Sequence, residues 1–157
     1  MAASSSPSAG VAPKWAQKTV TISSKRRGCH HVTSEILKEI KEDLSGFKCG
    51  LAHFFLQHTS ASFTVNENYD PDVRYDTETF LKRIVPEGGS APWKHTLEGP
   101  DDMPVANMMN DLGNILLMQD TYQQWRTKYG NMAAGIWLCE HRDAATPRKV
   151  VVTLNGI

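Results

Sequence analysis

The chain has 157 residues, 40% of them hydrophobic and 22% charged, a size and balance that match one globular domain with an ordinary core and exclude disorder over the whole length. Seventeen Lys and Arg meet seventeen Asp and Glu, so no global field draws the chain to nucleic acid or to an anionic membrane, and neither is expected as a partner. No stretch approaches the roughly 20 consecutive apolar residues of a membrane-spanning helix.

Residues 1–13, rich in Ser, Ala and Pro, read as a disordered tail before a single domain over 14–157. Gln17 to Ser23 alternates Val20 and Ile22 with polar neighbours, the pattern of a half-buried strand, and a basic loop from Lys25 to Gly28 follows. Thr33 or Ser34 is placed to cap a helix that carries Ile36, Leu37, Ile40 and Leu44 on one stripe and stops at Gly46. Gly50 to Gln57 and Ala61 to Val65, rich in Phe, Leu and Val, predict two strands or one long bent strand. Asp70-Pro71 opens a second helix through Val73, Phe80, Leu81 and Ile84, which Pro86 stops. Pro86 to Pro104 holds four prolines and three glycines, too punctuated for regular structure and suited to a functional loop. Asn107 to Gly130 sets Met108, Leu112, Ile115, Leu116, Tyr122 and Trp125 close to helical spacing, which predicts a helix. Ala134 to His141 and Arg148 to Leu154 predict a C-terminal hairpin. The mixed order of elements predicts an α+β fold, a mainly antiparallel sheet sandwich with helices packed on one side.

Three cysteines, Cys29, Cys49 and Cys139, form an odd set without CxxC spacing, which argues against a disulfide framework or a zinc knuckle and fits the reducing cytoplasm. Cys139 has no neighbouring nucleophile motif and reads as a small buried hydrophobe. Asn66, Asn68 and Asp70 imitate the start of an EF-hand loop, but Pro71 stands where that loop needs glycine and Thr77 where it needs glutamate. His58 shares a strand face with Phe54 and Leu56, where a histidine is more often a hydrogen-bonded core residue than a ligand. His95, Glu98, Asp101 and Asp102 crowd one aperiodic loop, an arrangement that packing does not explain because neighbouring acids repel. His95 with His58 suits a transition metal such as zinc, and Asp101 with Asp102 suits Mg²⁺ carrying a phosphate; a solvated acidic loop is the plain alternative. Glu140 ends an apolar strand face shared with Ile136 and Leu138. It reads as a general base or metal ligand, or more simply as a surface pair with Arg142.

Three segments in order, His58-Thr59-Ser60-Ala61-Ser62 with Asn66 to Val73, then His95 to Pro104, then Gly135 to Arg142, together resemble the YjbQ-like family, described as secondary thiamine-phosphate synthase, and most of all its plant members. The resemblance implies a homotrimer with a polar site near subunit boundaries. It also implies a reaction that joins a pyrimidine diphosphate to a thiazole phosphate with release of pyrophosphate. In that reading Glu98, Asp101 and Asp102 hold a divalent metal, Thr59, Ser60 and Asn66 orient phosphate or ring, and His58 and His95 are metal ligands beside Glu140. Trp15, Trp93, Trp125 and Trp137 are candidate interface anchors.

Two departures accompany the match. Family members continue Met-Pro-Ala-His where this chain reads Met103-Pro104-Val105-Ala106, so a family histidine has no counterpart at Ala106. The family also has strands across Asn107 to Gly130, where the local pattern here favours a helix. The competing reading is therefore a metal-binding homotrimer without turnover, its site incomplete at Ala106; a hydrolase using metal-bound water is a third.

Overall fold

Alternation around Val20 and Ile22 extends in both directions into a long strand, β1 (Lys14–Lys25). The computed structural model describes residues 12–58, 60–67, 69–86, 91–92, 94, 115–121 and 135–157, with backbone alone for 115–121. A crossing of two residues leads to the short strand β2 (Gly28–His31), where Gly28 takes φ +131°, a value that a side chain rarely tolerates. Helix α1 (Thr33–Ser45) follows, then β3 (Cys49–Leu56), β4 (Ala61–Asn66) and helix α2 (Asp72–Ile84). Further along the chain come β5 (Ile115–Thr121), β6 (Gly135–Glu140) and β7 (Thr146–Gly156).

The described strands form two antiparallel sheets, one ordered β1-β7-β3-β5 and the other β2-β6-β4. Val20 and Ile22 of β1, Ala52, Phe54 and Leu56 of β3, and Val150, Val152 and Leu154 of β7 project from the first sheet into the main core. Phe63 of β4 and Ile136 and Leu138 of β6 meet them from the second sheet, and Ile36, Ile40 and Leu44 bring α1 into the same cluster. Strand period two sends Trp137 and Cys139 to the opposite face, where they pack with Cys29, Val73 and Leu81, so α2 covers that face. The α+β architecture expected from the order of elements is thus the observed one.

Several local expectations are corrected. Residues 115–121 of the expected helix form a strand, β5, because β3 offers them an unpaired edge from Cys49↔Thr121 to Phe55↔Ile115; tertiary pairing overrides a local helical spacing. The last two strands are not a hairpin. β6 pairs with β2 and β4, and β7 with β1 and β3. Thr33 does not cap α1; its buried hydroxyl accepts the Ile136 N–H at 2.8 Å and meets His31 Nε2 at 2.7 Å, which ties the helix start to β6. Asp70 does serve the start of α2, its Oδ1 accepting the Asp72 N–H at 2.9 Å. Trp137 is fully buried and cannot anchor an interface, whereas Trp15 is 72% exposed; Trp93 and Trp125 lie outside the described residues.

Candidate functional site

The chain passes between the two sheets three times at one end of the molecule. Residues 26–27 lead from β1 to β2, residues 57–60 from β3 to β4, and residues 141–145 from β6 to β7. Register places these crossings side by side, since Gly28 and Ala61 both pair with Glu140, while Lys25 pairs with Thr146. The crossings are stitched together by His141 N–H donating to the Ser60 carbonyl at 3.2 Å and Gln57 N–H donating to the Lys149 carbonyl at 3.0 Å.

Glu140 lies at the centre of this end. It continues the inward face of Ile136 and Leu138 and is completely buried. Arg148 continues the inward face of Val150, Val152 and Leu154 from the facing sheet. The two charges therefore meet between the sheets, Nε on Oε2 at 2.7 Å and Nη2 on Oε1 at 2.6 Å. This is the forked guanidinium–carboxylate geometry. The Arg142 backbone N–H adds a bond to Oε1 at 2.9 Å, and its side-chain Nε donates to Ser60 Oγ at 3.1 Å. Arg148 Nη2 also reaches the Ser60 carbonyl at 3.4 Å.

On either side are two histidines held neutral. Lys149 N–H donates to His58 Nε2 at 2.8 Å, so that nitrogen supplies its lone pair and the ring proton sits on Nδ1. Burial, with Arg148 next in weight, holds the His58 pKa below its ordinary value. His141, almost fully buried, contacts Ser62 Oγ through Nε2 at 3.1 Å. Burial first, and then Arg27 and Arg148, push its pKa down to about 4. At the rim, Arg27 Nε donates to Asp143 Oδ1 at 2.6 Å.

The structure brings His58, Ser60 and Glu140 together at the crossing end. Asn66 stands at the far end of β4, opposite Gly135, a strand length of roughly 17 Å away at about 3.3 Å per residue, and its Oδ1 accepts the Glu67 N–H at 2.8 Å. Thr59, His95, Glu98, Asp101, Asp102 and Ala106 lie outside the described residues. Glu140 is not in a surface pair with the Arg142 side chain: Arg142 contributes its backbone N–H, and the carboxylate's ionic partner is Arg148. Sequence reasoning missed Arg148 and the His141–Ser62 contact. The signal for Arg148 was present, because it heads an apolar alternation in the same way that Glu140 ends one, and two opposite charges on inward faces are each other's natural partners.

With Glu140 paired and His58 Nε2 engaged, the donor atoms of these two residues do not fit a metal ion in this arrangement. Among the described residues, the crossing end is cationic. Arg26, Arg27, Arg142, Arg148 and Lys149 stand there against Glu140 and Asp143, which is a favourable setting for anionic groups.

The model of the family described as UPF0047 protein YjbQ-like matches residues 18–157. The UPF0047 protein YjbQ of Escherichia coli O157:H7 is 45% identical over 142 residues, covering 90% of this chain and 99% of the relative. A UPF0047 protein of Synechocystis is 34% identical over 144 residues, covering 89% of this chain and 91% of its own. Among solved structures, a protein of unknown function from Sulfolobus solfataricus P2 superposes with a TM-score of 0.74 at 22% identity, over 93% of this chain and all of the other. A YjbQ/UPF0047 protein from Clostridium acetobutylicum gives a TM-score of 0.68 at 29% identity, over 87% of this chain and 98% of the other.

Proposed function

This chain belongs to the YjbQ-like UPF0047 protein family, and from that premise we propose that it is a transferase of the thiamine-phosphate synthase type, joining a pyrimidine diphosphate to a thiazole phosphate and releasing pyrophosphate. The observation that carries the reading is the excess of cations, among the described residues, where the three crossings converge. Both substrates and the leaving pyrophosphate are anions, and positive groups preorganised around a departing phosphate lower the barrier to its departure. In this proposal Arg142 and Arg27 face phosphate oxygens. The Ser60 hydroxyl, steadied by Arg142 Nε, and the neighbouring Thr59 orient the phosphorylated ring.

Glu140 and Arg148 hold that layout in place rather than exchanging protons, since each is already satisfied by the other. The thiazole nitrogen attacks with its own lone pair, so positioning contributes more than a general base. His95, Glu98, Asp101 and Asp102 would hold any Mg²⁺ that accompanies the diphosphate, and the ion would offset the negative charge of the leaving pyrophosphate. The reading includes a homotrimer, supported by the exposed Trp15 on β1 and Leu51 and Phe55 on β3. Light scattering that returns a monomer at micromolar concentration removes that part. The activity is tested by supplying both purified substrates and Mg²⁺ and counting thiamine phosphate. Formation well above the rate without protein is expected, and a rate equal to that control removes the proposal.

A further inference from the structure

On the opposite face of β6 from Glu140 lies a chain of buried polar groups that the proposed reaction does not use. Cys29 and Cys139 are direct cross-strand partners in the β2–β6 register. Their sulfurs are 3.3 Å apart although the residues are 110 positions apart in sequence. Both are free thiols. Ser62 stands directly opposite Cys139 in the β4–β6 register, and its hydroxyl contacts His141 Nε2. Sulfur, hydroxyl and imidazole thus follow one another along this face, with the two cysteines packed against α2.

We propose that Cys29 and Cys139 form a peroxide-sensitive dithiol, a modification site that closes into an intramolecular disulfide. The geometry needs little change: sulfur atoms 3.3 Å apart must approach to about 2.05 Å, and directly opposed strand residues already have the Cα separation a disulfide requires. Access decides the order of events. Cys29 is 8% exposed on a four-residue edge strand, whereas Cys139 is 2% exposed, so Cys29 meets the oxidant first. A small oxidant such as hydrogen peroxide is the fitting class, because the thiols are too covered for a bulky disulfide.

The Cys29 sulfur attacks one peroxide oxygen and breaks the O–O bond. Cys29 becomes a sulfenic acid, and the second oxygen leaves as water. The Cys139 sulfur then attacks the Cys29 sulfur. The S–O bond breaks, the S–S bond forms, and the departing hydroxide takes up the Cys139 proton as water, with Ser62 and His141 placed to carry that proton. Two thiols and one peroxide give one disulfide and two waters. The contact with Cys29, and burial after it, hold the Cys139 thiol well above its ordinary pKa, which keeps the pair reduced until the sulfenic acid presents an electrophile beside it. Once closed, the bond ties edge strand β2 to β6 one residue from Glu140.

The test uses the full chain with Cys49→Ser, which removes the exposed third thiol. After stoichiometric hydrogen peroxide and alkylation, the expected result is a loss of two hydrogens and of both alkylatable thiols, a cross-linked peptide pair containing Cys29 and Cys139, and recovery of both thiols with dithiothreitol. Adding Cys139→Ser is expected to leave a sulfenic acid on Cys29 that dimedone traps, an adduct absent when Cys139 is present. Two intact thiols under peroxide that oxidises a reference dithiol would overturn the proposal. So would a product with one overoxidised sulfur and one free thiol. The outcome is independent of whether the chain makes thiamine phosphate.

Discussion

At the scale of single residues, the Glu140–Arg148 pair has the largest consequences. Glu140 is fully buried and Arg148 nearly so, so removing one partner leaves the other buried and unpaired. Arg148→Met is expected to cost about 3–5 kcal/mol in urea unfolding, while the double change Glu140→Leu with Arg148→Met costs far less than the sum of the singles. Additive losses would show that the two side chains do not depend on each other. His141 gives the pH dependence. Its pKa falls from 6.5 to about 4 on folding, so between those values the unfolded chain holds a proton that the folded chain lacks. Stability is therefore complete above pH 6.5 and declines as the pH falls through that window, by up to about 3 kcal/mol from this group. Urea midpoints measured from pH 7 to 4 should show the decline, and His141→Gln should make it shallower, with the remainder coming from His58 and His31, whose pKa values folding also lowers. Much of this end was legible in the chain: the apolar alternation marked Glu140 as out of place, and His58 as a histidine on a buried face. What could not be read was the partner, because a contact between residues of two different sheets depends on a crossing that no local pattern records.

At the scale of elements, the strands and helices with strong periodicity were readable and their connections were not. Ile36, Ile40 and Leu44 marked α1, and the Val20–Ile22 alternation marked β1, because one face of each is buried in the main core. Ile115 to Thr121 misled because its apolar run lacks alternation, yet an edge of β3 was available to pair with it. Extended-strand carbon shifts across Ile115–Thr121, with cross-strand Hα contacts between residues paired as Gly50↔Asp120 and Phe54↔Leu116, are the expected result, and helical shifts there would refute the pairing. The start of β6 offers a packing test. A Cβ on Gly135 would sit 2.3 Å from the His31 ring, which is itself fixed through Thr33 to the Ile136 N–H. Gly135→Ala is therefore expected to destabilise by about 1–3 kcal/mol in urea unfolding; unchanged stability would mean that the ring moves freely.

At the scale of the whole molecule, antiparallel sheets exchange strands in an order that brings three crossings to one end, and that convergence concentrates the arginines. The composition gives no hint of it, because a net charge of zero over the whole chain coexists with a local excess of cations among the described residues. Further along the chain, β5 pairs with the edge of β3, the strand that leads into the second crossing. In the proposed reaction, phosphorylated substrates are handled at the crossing end. The most direct measurement compares thiamine phosphate formation by the native chain and by Arg142→Gln, both confirmed folded by circular dichroism, with the two substrates and Mg²⁺ supplied. Removing one charged contact to a phosphate predicts a loss of roughly tenfold or more in kcat/KM. Equal rates in the two proteins would contradict the assignment of the site.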